Sequence, residues 1–414
     1  MNPFFSALLL QILHSDPDLP KLDSLAALTP EHWQELTATA IRYRAGFQML
    51  ECVRDDPRRQ ALVPQACLEQ LVNHVRSTLM RNLGQQAHLR KMLVACQAEG
   101  IPVILLKGLW LGEVVYRDLK ARATGDIDLF LHPEDMPRFT TLVQKLGFDV
   151  PPGTFNMCDL ALCQNEFPLF HHQQKSYFDV HWSITHPVIE KPVDEGKLWA
   201  RSEVWTIAGM PCHSLCLEDH LLYLCFHAAI HHQFVYVGPR ALLDVAVLVA
   251  NPPRTLDWTD LVQRAHEVGW SRGVWLMLDL VKQNLGVSAP PEVMQALRPN
   301  DTNNSNIHTI AMTTMFIDQQ HEQKLPTTMV QLMNESTILG RAGLVLSRIF
   351  ISREAVATQF ATTTHAPGFY WLYFKRWGHL LREHFQNFLL LAIGNPVRRA
   401  ELKRMQLISR WINK

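Results

Sequence analysis

The amino-acid sequence predicts an α+β protein, in which a small mixed β-sheet lies between an N-terminal and a C-terminal helical region. Short segments at 101–106, 126–131 and 167–184 are either continuously apolar or alternate in polarity, as strands do. The segments on both sides instead repeat apolar residues at helical spacing and carry helix-start signals. The predicted units are a helical region at 1–95, an α/β core at 96–210, a second helical region at 211–298, and a C-terminal helical region with a basic tail at 299–414.

Composition limits the class of protein before any motif is considered. The 414 residues carry 39 basic and 39 acidic side chains, so no overall charge draws the chain to nucleic acid or acidic membranes. Eight scattered cysteines indicate reduced thiols rather than a disulfide framework, and no apolar run approaches the ~20 residues of a membrane span. The apolar segment 1–13 lacks a basic start, so we expect a docking helix rather than a signal peptide. These features predict a cytoplasmic protein.

The N-terminal region contains clear helix signals. Thr29 and Pro30 form an N-cap and first-turn pair, and a second long helix is expected from about residue 64 to residue 100. The apolar run 101–106 then predicts a buried strand that ends at Lys107-Gly108. A glycine between a strand and a helix start lets a phosphate approach the backbone, and Lys107 adds positive charge. An ordinary strand-to-helix turn is the alternative interpretation.

Two aspartates one residue apart give the sequence its main chemical signal. In a strand over 126–131, Asp126 and Asp128 share one face, while the apolar residues between and after them share the other. Two carboxylates this close repel each other unless a cation such as Mg²⁺ neutralises them. The alternative is a pair of solvated aspartates at the polar end of a strand.

A helix at 133–146 and a hairpin over 167–184 follow. The second strand of the hairpin alternates, so Asp179, His181 and Ser183 share the face opposite to its large apolar residues. An acid among apolar residues is rare unless it is solvated, paired or bound to metal. We therefore expect Asp179 to converge with Asp126 and Asp128 on one site.

Helices are predicted at 219–233, 240–250 and 258–268. His220, His227 and His231 fall on one stripe of the first of them, and Cys216 lies close to the same stripe. A zinc site is one interpretation of this set, but a stripe on a single helix cannot surround a metal tetrahedrally. The favoured interpretation is that the stripe lines a cleft or forms buried hydrogen bonds.

The C-terminal hundred residues contain a dense aromatic segment at 369–377 and a basic tail at 398–414. Such a pattern can attach to a membrane surface or to RNA. Aromatic residues at helical spacing are more often core, and a basic face is more often solvated, so peripheral attachment is the less favoured interpretation.

Together these segments resemble the DNA-polymerase-β-like superfamily of nucleotidyltransferases, and within it the family of uncharacterised nucleotidyltransferases. The resemblance covers roughly residues 90–290. It departs from the superfamily at Gly108, which is followed by Leu109 where serine is usual. The similar segments are Leu105-Leu106-Lys107-Gly108, Tyr116, Arg122, Asp126-Ile127-Asp128-Leu129, Gly147-Phe148, Asp179-Val180-His181-Trp182, Leu224-Cys225-Phe226-His227, His231, Asp244 and Leu256-Asp257-Trp258.

The resemblance implies transfer of a nucleoside monophosphate from a nucleoside triphosphate, with ATP as the expected donor, by two Mg²⁺ ions. The small mixed sheet would then be the nucleotidyltransferase core, and region 211–298 would complete the nucleotide cleft. The acceptor is an unidentified small molecule, sugar or protein, and the neutral charge argues against nucleic acid. The implied metal ligands and catalytic residues are Asp126, Asp128 and Asp179, and the implied nucleotide-binding residues are Lys107, Gly108, Arg122, His227 and His231.

A non-catalytic nucleotide-binding or scaffold protein that retains the fold is the alternative function. The complete set of three carboxylates favours the enzyme, because a scaffold has no need of a metal triad.

Overall fold

A computed structural model provides the structure of the protein. The turn predicted at 173–175 and most of the polar segment 300–307 lie outside the residues that it describes. The described residues are 3–16, 18–150, 165–172, 176–186, 192–235, 237–300, 306–316, 353, 356, 365–378 and 396–414.

The N-terminal part of the chain is helical, as the sequence predicts. The predicted cap is confirmed, because the Thr29 side chain accepts a hydrogen bond of 3.3 Å from the backbone N–H of His32. The predicted long helix is also confirmed, and the first helix docks against the third and fourth. The helices are α1 Pro3–Leu13, α2 Leu22–Ala26, α3 Pro30–Arg42, α4 Gly46–Arg54, α5 Pro57–Leu62 and α6 Gln65–Ala98.

The middle of the chain alternates strands with short helices. The described strands form one mixed sheet in the order β3-β4-β2-β1-β6-β5, where β2–β4 and β1–β6 are parallel pairs and the other neighbours are antiparallel. The predicted α+β class is therefore correct. The strands are β1 Ile104–Leu105, β2 Ile127–Phe130, β3 Glu166–His171, β4 Ser176–His181, β5 Glu203–Ile207 and β6 Met210–Ser214; the helices are α7 Lys107–Trp110, which a π-helical turn Leu111–Val115 continues, α8 Met136–Lys145, which a 3-10 turn Pro133–Asp135 precedes, and α9 Glu195–Ala200.

Two details of the sheet differ from the sequence prediction. The strand expected over 101–106 is reduced to β1, because Pro102 has no N–H to donate and α7 begins already at Lys107. The hairpin of β5 and β6 was not predicted. Its turn is Ala208-Gly209, in which both residues have positive φ (53° and 69°), and Ala-Gly is a weaker turn signal than Asn-Gly.

The remaining described helices pack against other helices and continue to the C-terminus. The helices predicted at 219–233, 240–250 and 258–268 are present, although the first changes to a π-helix halfway along. The elements are α10 Leu217–Cys225 with a π-helical turn Phe226–His231, α11 Arg240–Ala250, α12 Trp258–Glu267, α13 Ser271–Leu285, α14 Pro291–Ala296, α15 Ile307–Met315 and α16 Pro396–Ile412; residues 371–378 are helical as well.

Buried apolar side chains from α1 to α16 form one continuous cluster. Helix α16 buries Ile408 and Trp411 in it and leaves the basic face, including Lys403, exposed. In the aromatic segment Phe369 is buried as expected. In the same segment the side chains of Tyr370, Trp371 and Phe374 are exposed.

Among the described helices none combines the length and the apolar character that crossing a bilayer requires.

Candidate active site

Three carboxylates meet on one face of the sheet, at the neighbouring interior strands β2 and β4. Asp126 immediately precedes β2, Asp128 lies within it, and Asp179 is the register partner of Asp128 on the parallel strand β4. One oxygen from each carboxylate lies within 4.8 Å of the others. The alternation of the strands turns Ile127 and Phe178 into the core, where both are buried. The structure thus brings together the three aspartates that the sequence analysis singled out.

Asp128 is the buried member of this aspartate cluster, with an exposure of 2 %. Its Oδ1 is 3.2 Å from Lys107 Nζ and 3.4 Å from His181 Nε2, whereas its buried Oδ2 has no hydrogen-bond partner among the described residues. Burial alone raises the pKa of Asp128, but the charges of Lys107 and His181 outweigh it and lower the pKa to about 2. Asp128 is therefore ionised at neutral pH with one oxygen free to bind a cation.

Glu166 supports the cluster from the neighbouring strand. Its Oε2 lies 2.9 Å from His181 Nδ1, because Glu166 faces His181 across the β3–β4 pair. Burial lowers the pKa of His181, yet the contacts with Asp128 and Glu166 raise it to about 9. His181 is thus charged at neutral pH and fixes the orientation of Asp128. Glu166 was not predicted from the sequence. The only feature that indicates it is its position opposite His181 in the β3–β4 pair.

Asp179 shows the opposite behaviour from Asp128. Burial and then repulsion by Asp128, Glu166 and Asp126 raise the pKa of Asp179 to about 7. A bound divalent cation would relieve this repulsion, and its preferred ligands are carboxylate oxygens. The donor set and the unpartnered Oδ2 of Asp128 therefore fit a hard divalent cation.

The turn after β1 brings backbone close to the three aspartates. Gly108 has φ 47° and ψ −113° inside α7, a conformation that side chains other than glycine rarely adopt. A Cβ at this position would lie 3.4 Å from Thr124 Cγ2 and 3.5 Å from the carbonyl oxygen of Asp126. The glycine therefore lets the turn lie directly against the segment that precedes β2.

The Lys107 side chain extends from this turn and contacts two other parts of the cleft. Its Nζ contacts His227 Nε2 at 2.9 Å in addition to Asp128. Burial lowers the pKa of Lys107, but Asp128 outweighs burial and the pKa lies above its usual range. The lysine is therefore charged and lies between Asp128 and His227.

Arg122 was predicted to contact phosphate, and that role stays a prediction. In the structure its guanidinium is buried and paired through two nitrogens with Asp244, at 2.9 Å each. Its Nη1 also donates a hydrogen bond of 3.0 Å to the carbonyl oxygen of Gly108. Tyr116 completes the group by donating to Asp244 Oδ1 at 2.9 Å. The hydrogen bond from Arg122 to the carbonyl oxygen of Gly108 therefore stabilises the position of the glycine turn.

Helix α6 fixes the loop between α7 and β2. The Asn82 side chain donates hydrogen bonds of 2.7 Å to the carbonyl oxygens of Leu119 and Arg122, and accepts one of 3.2 Å from the N–H of Thr124. Gln85 donates to the carbonyl oxygen of Gly125 at 3.1 Å. Both side chains are buried. The position of Asp126 thus depends on a helix of the N-terminal region.

The residues of the predicted histidine stripe divide between the two arrangements expected for them. His227 and His231 line the cleft, and His232 joins them with its Nε2 3.2 Å from His227 Nε2. His220 is buried instead, where it stacks on Trp110 with ring centroids 3.7 Å apart and its Nδ1 lies 3.3 Å from a backbone carbonyl oxygen. The π-helical turn accounts for His232, because its N–H bonds the carbonyl oxygen of His227 five residues earlier. This turn shifts the register of side chains after α10.

The zinc interpretation of the stripe does not agree with these positions. The Cys216 thiol donates to Asp219 Oδ2 at 3.2 Å and contacts Arg264, away from the cleft. Burial lowers the pKa of His220 to about 3, which indicates a neutral imidazole in the core. Cys216 and His220 therefore do not converge with the histidines of the cleft.

One cavity of about 350 Å³ lies between the groups of the cleft. Its wall includes the three aspartates, Lys107 and Gly108 of the glycine turn, and the three histidines of the cleft. The size is within the usual range for a site that binds a small molecule.

A sequence model of the family described as uncharacterised nucleotidyltransferase matches residues 29–286. The matched range includes every residue of the cavity wall described above. No curated protein and no solved structure matches the chain.

Proposed function

This chain belongs to the family of uncharacterised nucleotidyltransferases, and from that premise we propose that it is a Mg²⁺-dependent enzyme that transfers a nucleoside monophosphate from a nucleoside triphosphate. The observation that carries the proposal is the cluster of Asp126, Asp128 and Asp179 beside the glycine turn. ATP is the expected donor. The acceptor would be a small molecule, a sugar or a protein.

The residues of the cavity wall have separate roles in the proposed chemistry. Two Mg²⁺ ions held by the three aspartates would stabilise the attacking and leaving oxygens. The acceptor oxygen bonds to the α-phosphorus, the bond from that phosphorus to the bridging oxygen breaks, and pyrophosphate leaves. Asp179 would accept the proton of the acceptor hydroxyl. Lys107 and the backbone at Gly108 hold the departing phosphates.

Other residues position these groups. Arg122 keeps the turn at Gly108 in place, and His227 and His231 lie on the wall that can contact the nucleotide. Burial and the charge of Lys107 lower the pKa of His227 well below its usual value, so that His227 is a neutral hydrogen-bonding group. A cytoplasmic location belongs to the same proposal, and the six described cysteines being free supports it.

A scaffold that only binds nucleotide is the second candidate. It would have no use for three clustered carboxylates, in which burial and then repulsion by neighbouring carboxylates raise the pKa of Asp179. The unpartnered Oδ2 of Asp128 favours the enzyme for the same reason, because a buried polar atom without a partner destabilises the fold.

Thermal unfolding with each of ATP, GTP, CTP and UTP tests the proposal directly. We expect one nucleotide to raise the melting temperature by a few degrees only when Mg²⁺ is present, since a ligand at 100 times its Kd adds about 2.7 kcal/mol. The measurement is differential scanning fluorimetry of the wild type with and without Mg²⁺. Equal shifts in the presence of EDTA would contradict metal-dependent binding and favour the scaffold.

Cation affinity is expected to depend on pH through Asp179. A proton competes with the cation for this carboxylate, whose pKa is about 7. The affinity should therefore fall about fivefold from pH 7 to pH 6 and close to tenfold for the next unit, while it levels off above pH 8. Titration calorimetry with Mn²⁺ or Mg²⁺ across this range measures it. Asp179→Asn should bind more weakly with a flatter profile; an unchanged slope in that variant would assign the proton to another group.

A further inference from the structure

Arginines from three separate segments line the cavity wall next to Asp126. Arg44 follows α3 and has a left-handed backbone conformation (φ 59°), Arg122 precedes β2, and Arg240 begins α11. The mechanism above uses Arg122 only. Arg44 and Arg240 are therefore two cations in the cleft that still lack a role.

These two arginines have no ion pair with a carboxylate in the described part of the chain. Arg240 Nη1 donates 2.9 Å to the carbonyl oxygen of Ala123, a neutral group. The Arg44 Nη1 atom lies against Gly125, 3.2 Å from where a Cβ on that residue would be, and donates no hydrogen bond to a described residue. Asp244 is already occupied by Arg122.

The positive charges affect one another. Burial and then repulsion by Arg122 and Arg44 lower the pKa of Arg240 to about 10. Arg44 keeps a surface exposed to the solvent of the cleft, yet enough protein surrounds it for desolvation to lower its pKa, and Asp126 opposes this effect. Asp126 therefore offsets both arginines through space together with Asp244, which is the stronger of the two for Arg240.

Cation binding removes that compensation. Once Asp126 serves a divalent cation, its charge no longer balances the two guanidinium groups. Both would then face the cavity with a partial desolvation cost, and the carboxylate that remains near them, Asp244, is already paired with Arg122. An anion with several oxygens relieves this arrangement, and a guanidinium binds phosphate through two parallel hydrogen bonds.

We propose that Arg44 and Arg240 form a second anion-binding position that takes a phosphate group of a substrate, on the Asp126 side of the cavity and separate from the Lys107–Gly108 turn. The inference rests on the proposed function for the identity of the substrates. The phosphate belongs either to the triphosphate of the donor or to the acceptor, which would then be a phosphorylated compound. In both cases the two guanidinium groups bind a phosphate. The cases differ in whether this phosphate binds with the donor or with the acceptor.

Titration calorimetry of the full chain with tripolyphosphate and with inorganic phosphate tests this site. Arg44→Gln is the main variant, because Arg44 forms no described hydrogen bond that the fold would lose. We expect it to weaken tripolyphosphate binding by about 10- to 100-fold, as loss of a charged hydrogen-bonding group does. Arg44→Lys, which keeps the charge, should lose less. Arg58→Gln is the matched control, since Arg58 pairs with Asp56 on the surface.

Two further titrations distinguish the sources. If the donor supplies the phosphate, Arg44→Gln weakens Mg·ATP binding as much as tripolyphosphate binding. If the acceptor supplies it, Mg·ATP binding is unchanged, and inorganic phosphate binding to the nucleotide-saturated protein is lost. The proposal is overturned if Arg44→Gln and Arg240→Gln both bind every one of these anions as Arg58→Gln does. Arginine-dependent anion binding in a protein without Mg²⁺-dependent transfer would contradict the proposed function and leave this site standing.

Discussion

Asp126→Asn is expected to reduce nucleotidyl transfer by on the order of 10²- to 10³-fold, because a metal ion supplies several kcal/mol of transition-state stabilisation and each 1.36 kcal/mol is tenfold in rate. Asp126 is the better choice for this test than Asp128, which is buried beneath Lys107 and His181. Replacing Asp128 would leave the partly buried Lys107 without its carboxylate and His181 with Glu166 alone, and would disturb the fold. Asp126 forms no ion pair with a described residue, so its amide should keep the structure.

The measurement is transfer of label from an α-³²P nucleoside triphosphate, once thermal unfolding has identified the donor. Asp118→Asn is the matched control, because Asp118 pairs with Lys120 on the surface and should leave the rate unchanged. The melting temperature of Asp126→Asn without ligand should equal that of the wild type. A variant with full transfer activity would exclude Asp126 as a metal ligand and remove the central assignment.

Arg122→Met is expected to destabilise the protein by about 3–5 kcal/mol, the usual cost of leaving one partner of a buried ion pair alone. The substitution would strand Asp244, which is 4 % exposed, and remove the hydrogen bond to the carbonyl oxygen of Gly108. Since folded proteins are stable by only about 5–15 kcal/mol, this is a large fraction of the total. No other substitution proposed here should affect stability as strongly.

Urea denaturation followed by tryptophan fluorescence measures this change as a shift of the midpoint. The double variant Arg122→Met/Asp244→Leu should recover part of the loss, because it removes the stranded charge. Arg58→Met should leave the midpoint in place, since its partner Asp56 is a surface residue. A midpoint for Arg122→Met equal to that of Arg58→Met would show that the buried pair contributes little to stability.

The sequence was sufficient for the acidic part of the site. Alternation along a strand predicts that Asp126 and Asp128 share a face, and the same rule applied to the hairpin selects Asp179. What the sequence does not contain is the register between β2 and β4, which places Asp128 beside Asp179. The expectation that the three aspartates converge came from the rarity of an unpaired acid among apolar residues, and the structure shows the alignment.

Apart from the lysine of the glycine turn, the cationic part could not be read from the sequence. Arg122 and Asp244 are separated by 122 residues, and nothing local to either indicates the pair. Arg44 and Arg240 reach the cavity from regions that local patterns describe only as helix ends. His232 was missed for another reason, because a π-helical turn changes the spacing on which the helical stripe was predicted. These parts of the site depend on tertiary contacts and on an irregular helix, which the sequence pattern does not predict.

The two side chains of α6 that bond the loop before β2 limit how this part of the sequence can change during evolution. Asn82 serves three backbone groups of that loop, so a change at this position alters the loop even though the residue is remote from Asp126 in the sequence. Substitutions in the loop and on this face of α6 should therefore be accepted in pairs rather than singly. A fragment limited to the sheet would carry the aspartates without the support that orients them, and recombination between relatives would preserve the site only where α6 and the sheet are exchanged together.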